Sequence, residues 1–568
     1  MNSIWNKNFS AFKNRFPQLA QITGSVPVNP ETFWKLENAK NGMITASEYG
    51  VAGSAPVRLH SAYNPEREAS GAVSRDEVFS KSAIVFYGFG LGYHVIECAK
   101  KISEYGSRQS MHIQSMDIQS SGLQCTVAGS CCDGKVPRLV LIEPDVAHFF
   151  AALSVLDWTP VFEVENLVIA VGAPAESVLP LLEDGSKVNV GGAGVSDACF
   201  FDIPAFTAHA ASYFDAVRSI VKRNQRKNEI NAATLKKFGR LWCRNSLKNL
   251  GEFAKRGFVS CLEKKAFDED GNPLPFLIIG AGPSLERILP YLRELQDRCV
   301  TVCVETALRA LLRCGVQPDF VILTDPQFWA YRHIAGVRAP DSVFITEISA
   351  YPSVFRFECR NLLLCASQFP IGAFTQSKLR LTPGDLGTGG SVASSAWNFA
   401  HLAGAREIFV AGLDFAFPGK QTHIKGSSAE QTWHTLSSRL SSPDKFTAGA
   451  LYSANATTGR DYTGAPVLTD SRMKMFAWWF ESRLTSCPET KTYTLGPQGL
   501  SVPGISAVSL EELLKRPVIK TGKQSFFKIA TTGHSELTKN QISELSQLIN
   551  NFPRQEFLTE YPFLSDYL

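Results

Sequence analysis

The chain has 568 residues, 44% hydrophobic and 19% charged, which describes a globular protein with a substantial core and room for about three to four domains of ordinary size. Its 57 basic and 53 acidic residues leave a net charge of +4, too small to argue for a nucleic-acid partner. No stretch reaches the ~20 apolar residues that a membrane-spanning helix needs.

The opening segment, MNSIWNKNFSAFKNRFP, alternates polar and apolar residues and has no continuous apolar core of the kind a secretory signal carries. The 13 Cys are scattered, with one adjacent pair at Cys131 and Cys132. They form no CxxC repeat and no Cys/His pattern with zinc spacing, so reduced thiols and a cytoplasmic location are expected.

Residues 82–100, SAIVFYGFGLGYHVIECAK, read as a strand, a Gly88-x-Gly90-x-Gly92 turn and a helix. RLVLIEPDVAHFFAALSVL (138–156) adds a strand ending in Glu143 and a second helix, and ENLVIAVGAP (165–174) a third strand. Together they predict a small Rossmann-like unit. The segment 101–136 breaks the usual spacing and is expected as an excursion at the sheet edge. Residues 216–265 predict a long helical stretch with 14 Lys/Arg against three Glu. Leu235, Phe238, Leu241 or Trp242, Leu250 and Phe253 recur at helical spacing, so one face packs inward. The basic face is either simply solvated or a surface for an acidic partner or anionic substrate.

A second α/β unit begins at Pro275. PFLIIGAGPSL leads into a helix, CVTVCVETALRALLRCG is a strand and helix, and PDFVILTDP (318–326) is a strand ending in an acid. NLLLCAS adds a strand. GDLGTGGSVASSAWNFAHLAGAREIFVAGLDFAF (384–417) supplies a second glycine-rich loop, a helix and a strand ending at Asp414. This alternation predicts a mostly parallel sheet covered by helices. The pattern weakens beyond 436, where NQISELSQLIN is expected to be helical. The fold class is thus α/β: two Rossmann-like units and a mainly helical C-terminal region, with domains at 1–205, 206–435 and 436–568.

Gly280 and Gly282 permit a tight turn, Pro283 suits a first helical turn, and Ser284 opens a helix whose N–H groups and dipole favour an anion. The third glycine of a dinucleotide fingerprint is missing and Glu286 stands nearby, which favours a mononucleotide phosphate. Glu305 ends the next strand, either accepting hydrogen bonds from ribose hydroxyls or standing as a solvated carboxylate. Asp325 ends the following strand in a position for substrate or metal contact. Thr388, Gly389, Gly390 and Ser391 form the second glycine loop, and two such loops can grip one ligand. His423, in the loop KQTHIKG (420–426), is the candidate base.

These motifs, in this order, resemble the motility accessory factor (Maf) family of bacterial flagellin glycosyltransferases. GAGPSL, PDFVILTDP, the stretch from GGSV to DFAF, and THIKG follow one another as in that family's central domain. That domain is shared with 6-hydroxymethylpterin pyrophosphokinase-like proteins and is similar to bacterial sialyltransferases with a single Rossmann-like domain. LHSAYNPEREA (59–69) and YGFGLGYH (87–94) resemble the Maf N-terminal domain, which the pterin enzymes lack.

The resemblance implies inverting transfer of pseudaminic or legionaminic acid from its CMP-activated form to Ser or Thr of flagellin. It places Gly280, Gly282, Pro283 and Ser284 along the nucleotide phosphate. Thr388, Gly389, Gly390 and Ser391 would hold the sugar carboxylate or cytidine, with Asp414 supporting that pocket and, together with His423 as base, making the catalytic pair. Glu305 stands where the sialyltransferases carry an asparagine. The resemblance names no cofactor besides the CMP-activated nonulosonic acid as donor, and Asp325 leaves room for Mg²⁺. The rivals are a Mg-ATP pyrophosphokinase of a pterin-like alcohol and a non-catalytic flagellin-binding factor.

Overall fold

Apolar runs of four to six residues closed by glycine or an acid fold as fully buried parallel strands in the computed structural model. The structure describes residues 2–23, 27–49, 55–74, 76–79, 81–116, 136–182, 198–387, 389–533 and 537–568. The chain divides into two units, Met1–Ala233 and Thr234–Leu568.

In the first unit, β1 (Trp34–Asn38), β2 (Ile44–Glu48) and β3 (Val57–Arg58) make a small antiparallel sheet. Strands β4 (Ala83–Tyr87), β5 (Arg138–Glu143), β6 (Leu167–Val171) and β7 (Ala198–Asp202) form a parallel sheet in the order β6-β5-β4-β7. The three expected strands are present. The stretch expected as an excursion is helical as far as Met116, continuing the helix that starts at Tyr93. The remainder, 117–135, with Cys131 and Cys132, lies outside the described residues.

The glycine turn of this unit is filled by protein. A Cβ on Gly88 would lie 2.2 Å from the Phe206 carbonyl oxygen, and one on Gly92 2.3 Å from the Trp158 ring. His60 Nε2 accepts the Leu91 N–H at 2.9 Å inside the same turn. These glycines are required by close packing.

The second unit holds a nine-stranded sheet. Its members are β8 (Gly257–Phe258), β9 (Phe276–Ile279), β10 (Val300–Val304), β11 (Phe320–Leu323), β12 (Ala339–Thr346), β13 (Cys359–Leu364) and β14 (Glu407–Ala411). Beyond the antiparallel hairpin β15 (Thr457–Arg460) and β16 (Pro466–Thr469), β17 (Lys491–Thr494) and β18 (Ile505–Ala507) complete it. The order is β18-β17-β14-β9-β10-β11-β12-β13-β8, with every pair parallel. The helix Val392–Ala403 packs across β9, β10 and β11.

Residues after 436 therefore do not stand apart. Helices dominate there, including the expected one at Lys539–Asn550, but β17 and β18 extend the central sheet beside β14. Strands of three and four residues are too short to show a period in the sequence. The long basic helix spans Ala211–Asn249. Leu235, Leu250 and Phe253 join the second unit's core, while Lys236, Lys237, Arg240, Arg244 and Lys248 are exposed. The side chain of Lys227 lies outside the described residues.

Candidate functional site

The order of strands reverses between β9 and β14, the switch point where open parallel sheets usually leave a ligand crevice. Here two backbones close it. Gly280 N–H donates to Ala411 O and Gly282 N–H to Gly412 O, both at 2.8 Å. A Cβ on Gly280 would stand 2.4 Å from Gly412 O, and one on Gly282 2.5 Å from Asp414 Oδ2.

Asp414 locks the contact. Its Oδ2 accepts the Ser284 N–H at 2.9 Å and its Oδ1 accepts the Ser284 hydroxyl. Leu500 N–H binds the Asp414 carbonyl at 2.7 Å, and the carboxylate is only 4% exposed. Burial raises its pKa against the hydrogen bonds from Ser284. The sequence reading put Gly280, Gly282, Pro283 and Ser284 along a phosphate and gave Asp414 a catalytic role. The structure gives these residues a different task. Their N–H groups at 280, 282 and 284 are spent inside the protein, Pro283 is buried in the turn Pro283–Arg287, and Asp414 acts as a clamp.

Open chemistry lies one to three strands away. Glu305 follows β10, Asp325 follows β11 and Glu347 follows β12, so three acids line adjacent strand exits. Glu305 is 5% exposed, and its Oε2 has no partner. Burial, reinforced by Asp325, pushes its carboxyl up to about 8. Burial also lifts Glu347 to about 7, against hydrogen bonds from Ser349 and Ser367. Asp325, whose Oδ1 accepts the Gln327 N–H at 2.8 Å, is raised by burial as well. Raised carboxyls at all three exits lower the cluster's charge near neutrality relative to free carboxylates.

The second glycine loop borders these acids. Ser391 caps the helix Val392–Ala403 through a 3.3 Å bond from Ala393 N–H, and Ser395 Oγ sits 3.4 Å from Thr324 Oγ1 beside Asp325. Gly389 and Gly390 pass under the rings of Trp479 and Phe476, where a Cβ would lie 2.7 and 3.1 Å away. Thr388 lies outside the described residues.

His423 stands on a loop tied down at three points. Ile424 N–H donates to Ala281 O at 2.7 Å, and Lys425 meets Glu286 through its N–H at 3.1 Å and its ammonium at 3.2 Å. The His423 ring reaches solvent within a recess that solvates its charged form poorly, so its pKa is lowered, with Arg472 adding to the effect. A neutral imidazole that can accept a proton results. His333 lies near enough for His423 to add to the burial that lowers it to about 4.

Sequence reasoning missed Glu347, although TEIS repeats the pattern of an acid just past a buried strand. It also missed Phe328 and Trp329, 42% and 64% exposed and close behind Asp325.

With this geometry in hand, the comparisons can be placed. Residues 244–420 match the family model described as 6-hydroxymethylpterin diphosphokinase MptE-like. An uncharacterized protein of Treponema pallidum (strain Nichols) is 34% identical over 228 residues, a match spanning 35% of this chain and 58% of that protein's length. A second from the same organism is 27% identical over 302 residues, covering 51% of this chain and 85% of the relative. The solved structure of the Maf glycosyltransferase from Magnetospirillum magneticum AMB-1 matches with a TM-score of 0.57 at 14% identity, covering 97% of this chain and 80% of that one. The resemblance drawn from the motifs therefore holds: the chain has the fold of a Maf glycosyltransferase, around a central segment similar to the pterin diphosphokinase-like proteins. Among the described residues, no helix is long and apolar enough to cross a membrane.

Two outcomes follow from the site. Ser284→Ala leaves one oxygen of a buried carboxylate without its hydroxyl donor and lowers stability by about 1–3 kcal/mol in denaturant unfolding. An unchanged midpoint would refute the clamp. Glu305 keeps its proton to higher pH in the folded chain than in the unfolded one, so ionising it costs stability. Stability then falls as pH rises from the ordinary 4.5 towards about 8. Melting Glu305→Gln at roughly pH 5.5 and roughly pH 8.5 should show a smaller drop than wild type; equal drops would contradict the raised carboxyl.

Proposed function

We propose that this protein is a glycosyltransferase that moves a nonulosonic acid of the pseudaminic or legionaminic type from its CMP-sugar to Ser or Thr hydroxyls of flagellin in the cytoplasm. The observation that carries this reading is the likeness to a Maf glycosyltransferase along 97% of the chain. That likeness takes in the first unit, which the diphosphokinase-like segment at 244–420 does not reach.

The chemistry is a single displacement at the anomeric carbon. The acceptor hydroxyl attacks as CMP leaves from the opposite face, inverting the configuration. His423, neutral at physiological pH, takes the hydroxyl proton. The helix N-terminus at Ser391, with Gly389 and Gly390, receives the charge that develops on the departing phosphate. The clamp of Gly280, Gly282, Pro283, Ser284 and Asp414 supports this pocket from below. Glu305 and Glu347, their carboxyls raised to about 8 and about 7, carry less charge near neutrality than free carboxylates and so let an anionic donor approach these strand exits. Exposed Phe328 and Trp329 offer faces for the base or the sugar, and exposed cations of the helix Ala211–Asn249 suit an acidic acceptor.

One observation favours a second reading, a Mg-ATP-dependent diphosphokinase of a pterin-like alcohol. The partnerless Oε2 of Glu305 beside Asp325 is a donor set of the kind that holds Mg²⁺, which would supply charge neutralisation at transferring phosphates. Glu305 and Asp325 would then be ligands rather than acid–base groups.

Thermal stabilisation of the pure protein separates the two. CMP alone should raise the melting temperature, and ATP with Mg²⁺ should not; stabilisation only by ATP with Mg²⁺ would sink the transferase and promote the kinase. His423→Ala should keep CMP stabilisation and lose sugar transfer by about 10²–10⁴-fold. Unchanged motility in a His423→Ala strain would favour a non-catalytic flagellin-binding factor.

A further inference from the structure

In the first unit, four side chains from separate elements converge at the C-terminal edge of the parallel sheet. Glu48 ends β2, Glu143 ends β5, His148 lies on the helix Val146–Leu153, and His209 lies in the turn Ala208–Ala210. Glu143 is 0% exposed, His148 1% and Glu48 7%. So many ionisable groups are brought out of water only where something satisfies them.

The pairing pattern is directional. Glu143 Oε1 is hydrogen-bonded to His209 Nε2 at 2.8 Å, and Glu143 Oε2 lies 3.4 Å from His148 Nδ1. One carboxylate therefore faces both imidazoles, hydrogen-bonded to His209 and at ion-pair distance from His148. His148 Nε2 and His209 Nδ1 have no hydrogen-bond partner, and neither do His148 Nδ1, Glu143 Oε2 and Glu48 Oε2. Ligand atoms of Glu48, His148 and His209 all lie within 4.8 Å of one another. His148 Nε2 and Glu48 Oε1 are 3.4 Å apart. That spacing equals the edge of a tetrahedron with zinc-type bonds to nitrogen and oxygen, about 3.3–3.6 Å.

We propose that His148 Nε2, His209 Nδ1 and a carboxylate oxygen of Glu48 form a divalent transition-metal site of the zinc type, with Glu143 orienting both histidines from behind. Two imidazoles and one carboxylate make a borderline-hard donor set suited to Zn²⁺ or Co²⁺ rather than to Mg²⁺ or Ca²⁺. A carboxylate behind a ligating imidazole fixes its tautomer and strengthens it as a donor. The two rings stack 4.1 Å apart, and closing on an ion tilts them towards a shared apex. Trp34 and Phe33 pack edge-on against His148 at 4.7 and 5.4 Å, forming an apolar wall. Side-chain exposures of 10% at Glu48 and 13% at His209 leave a path for entry and a fourth position for water. The ion would tie β2, β5, the helix Val146–Leu153 and the turn at His209 into one structural clip, independent of the transferase reading.

The test uses the full-length protein stripped with a chelator and titrated with Co²⁺. One equivalent should give the visible absorption of four-coordinate Co²⁺, displaced by Zn²⁺. The near-ultraviolet band of a Co–thiolate bond should be absent, because the site has no cysteine. Glu48→Gln, nearly isosteric, should weaken binding at least tenfold, and Glu143→Gln by about 10–100-fold, with circular dichroism confirming that both fold. Cys487→Ser tests the other candidate group among the described residues, His401 with Cys487 and Glu489, and should change nothing. No visible band at one equivalent, a thiolate band lost in Cys487→Ser, or full binding by Glu48→Gln would each overturn the site.

Discussion

The contact between Gly280 and Gly412 governs what the central sheet can offer. Parallel strands ending side by side at a switch point normally leave a gap, because their two loops turn to opposite faces. In this protein the loops come together, backbone to backbone, and each glycine lacks the Cβ that would prevent it. Asp414 then fastens the junction through both oxygens to Ser284, a residue 130 positions away. Burial of that carboxylate is tolerated because charge-assisted hydrogen bonds replace its hydration. With the usual crevice filled, the acids at the exits of β10, β11 and β12 and the start of the helix Val392–Ala403 become the candidate ligand groups.

That shift sets the electrostatics. Three carboxylates on neighbouring strands would ordinarily form an anionic patch hostile to phosphate. Burial changes the balance by raising Glu305 to about 8 and Glu347 to about 7, so fewer of these charges are present near neutrality. Across the same edge stand a capped helix N-terminus and a neutral His423. A raised carboxyl, a neutral imidazole and a capped helix start thus come from different parts of one sheet edge.

Much of this fold was legible in the sequence, because buried parallel strands followed by glycine and a helical period carry strong local signals. FLII, VTVCV, FVIL and EIFVA all became strands where expected. The strands KTYT and ISA did not announce themselves, being short and half polar, and their identity depends on neighbours in the sheet, β14 beside KTYT and KTYT beside ISA. The placements of Asp325 after a strand, Ser391 at a helix start and His423 in a loop were legible. The meaning of the first glycine loop was not. A glycine says that something approaches closely, but the sequence does not say whether it is a ligand or another backbone. Three glycine loops of similar appearance meet three different partners: Phe206 and Trp158 at 88–92, Gly412 at 280–282, and Trp479 with Phe476 at 389–390.

Glu286 carries the same lesson in charge. Beside a presumptive phosphate loop a carboxylate looks misplaced, and the sequence reading used it only to argue against a dinucleotide. In the structure it binds both the backbone and the ammonium of Lys425. That pair is partly exposed, so its direct contribution to stability is small. Its effect is positional: with the Ile424 to Ala281 bond it fixes both sides of the short loop that presents His423. The first glycine turn therefore matters to the site through the loop it anchors. A residue that would repel a phosphate at that turn instead holds the imidazole at the edge where the open chemistry lies.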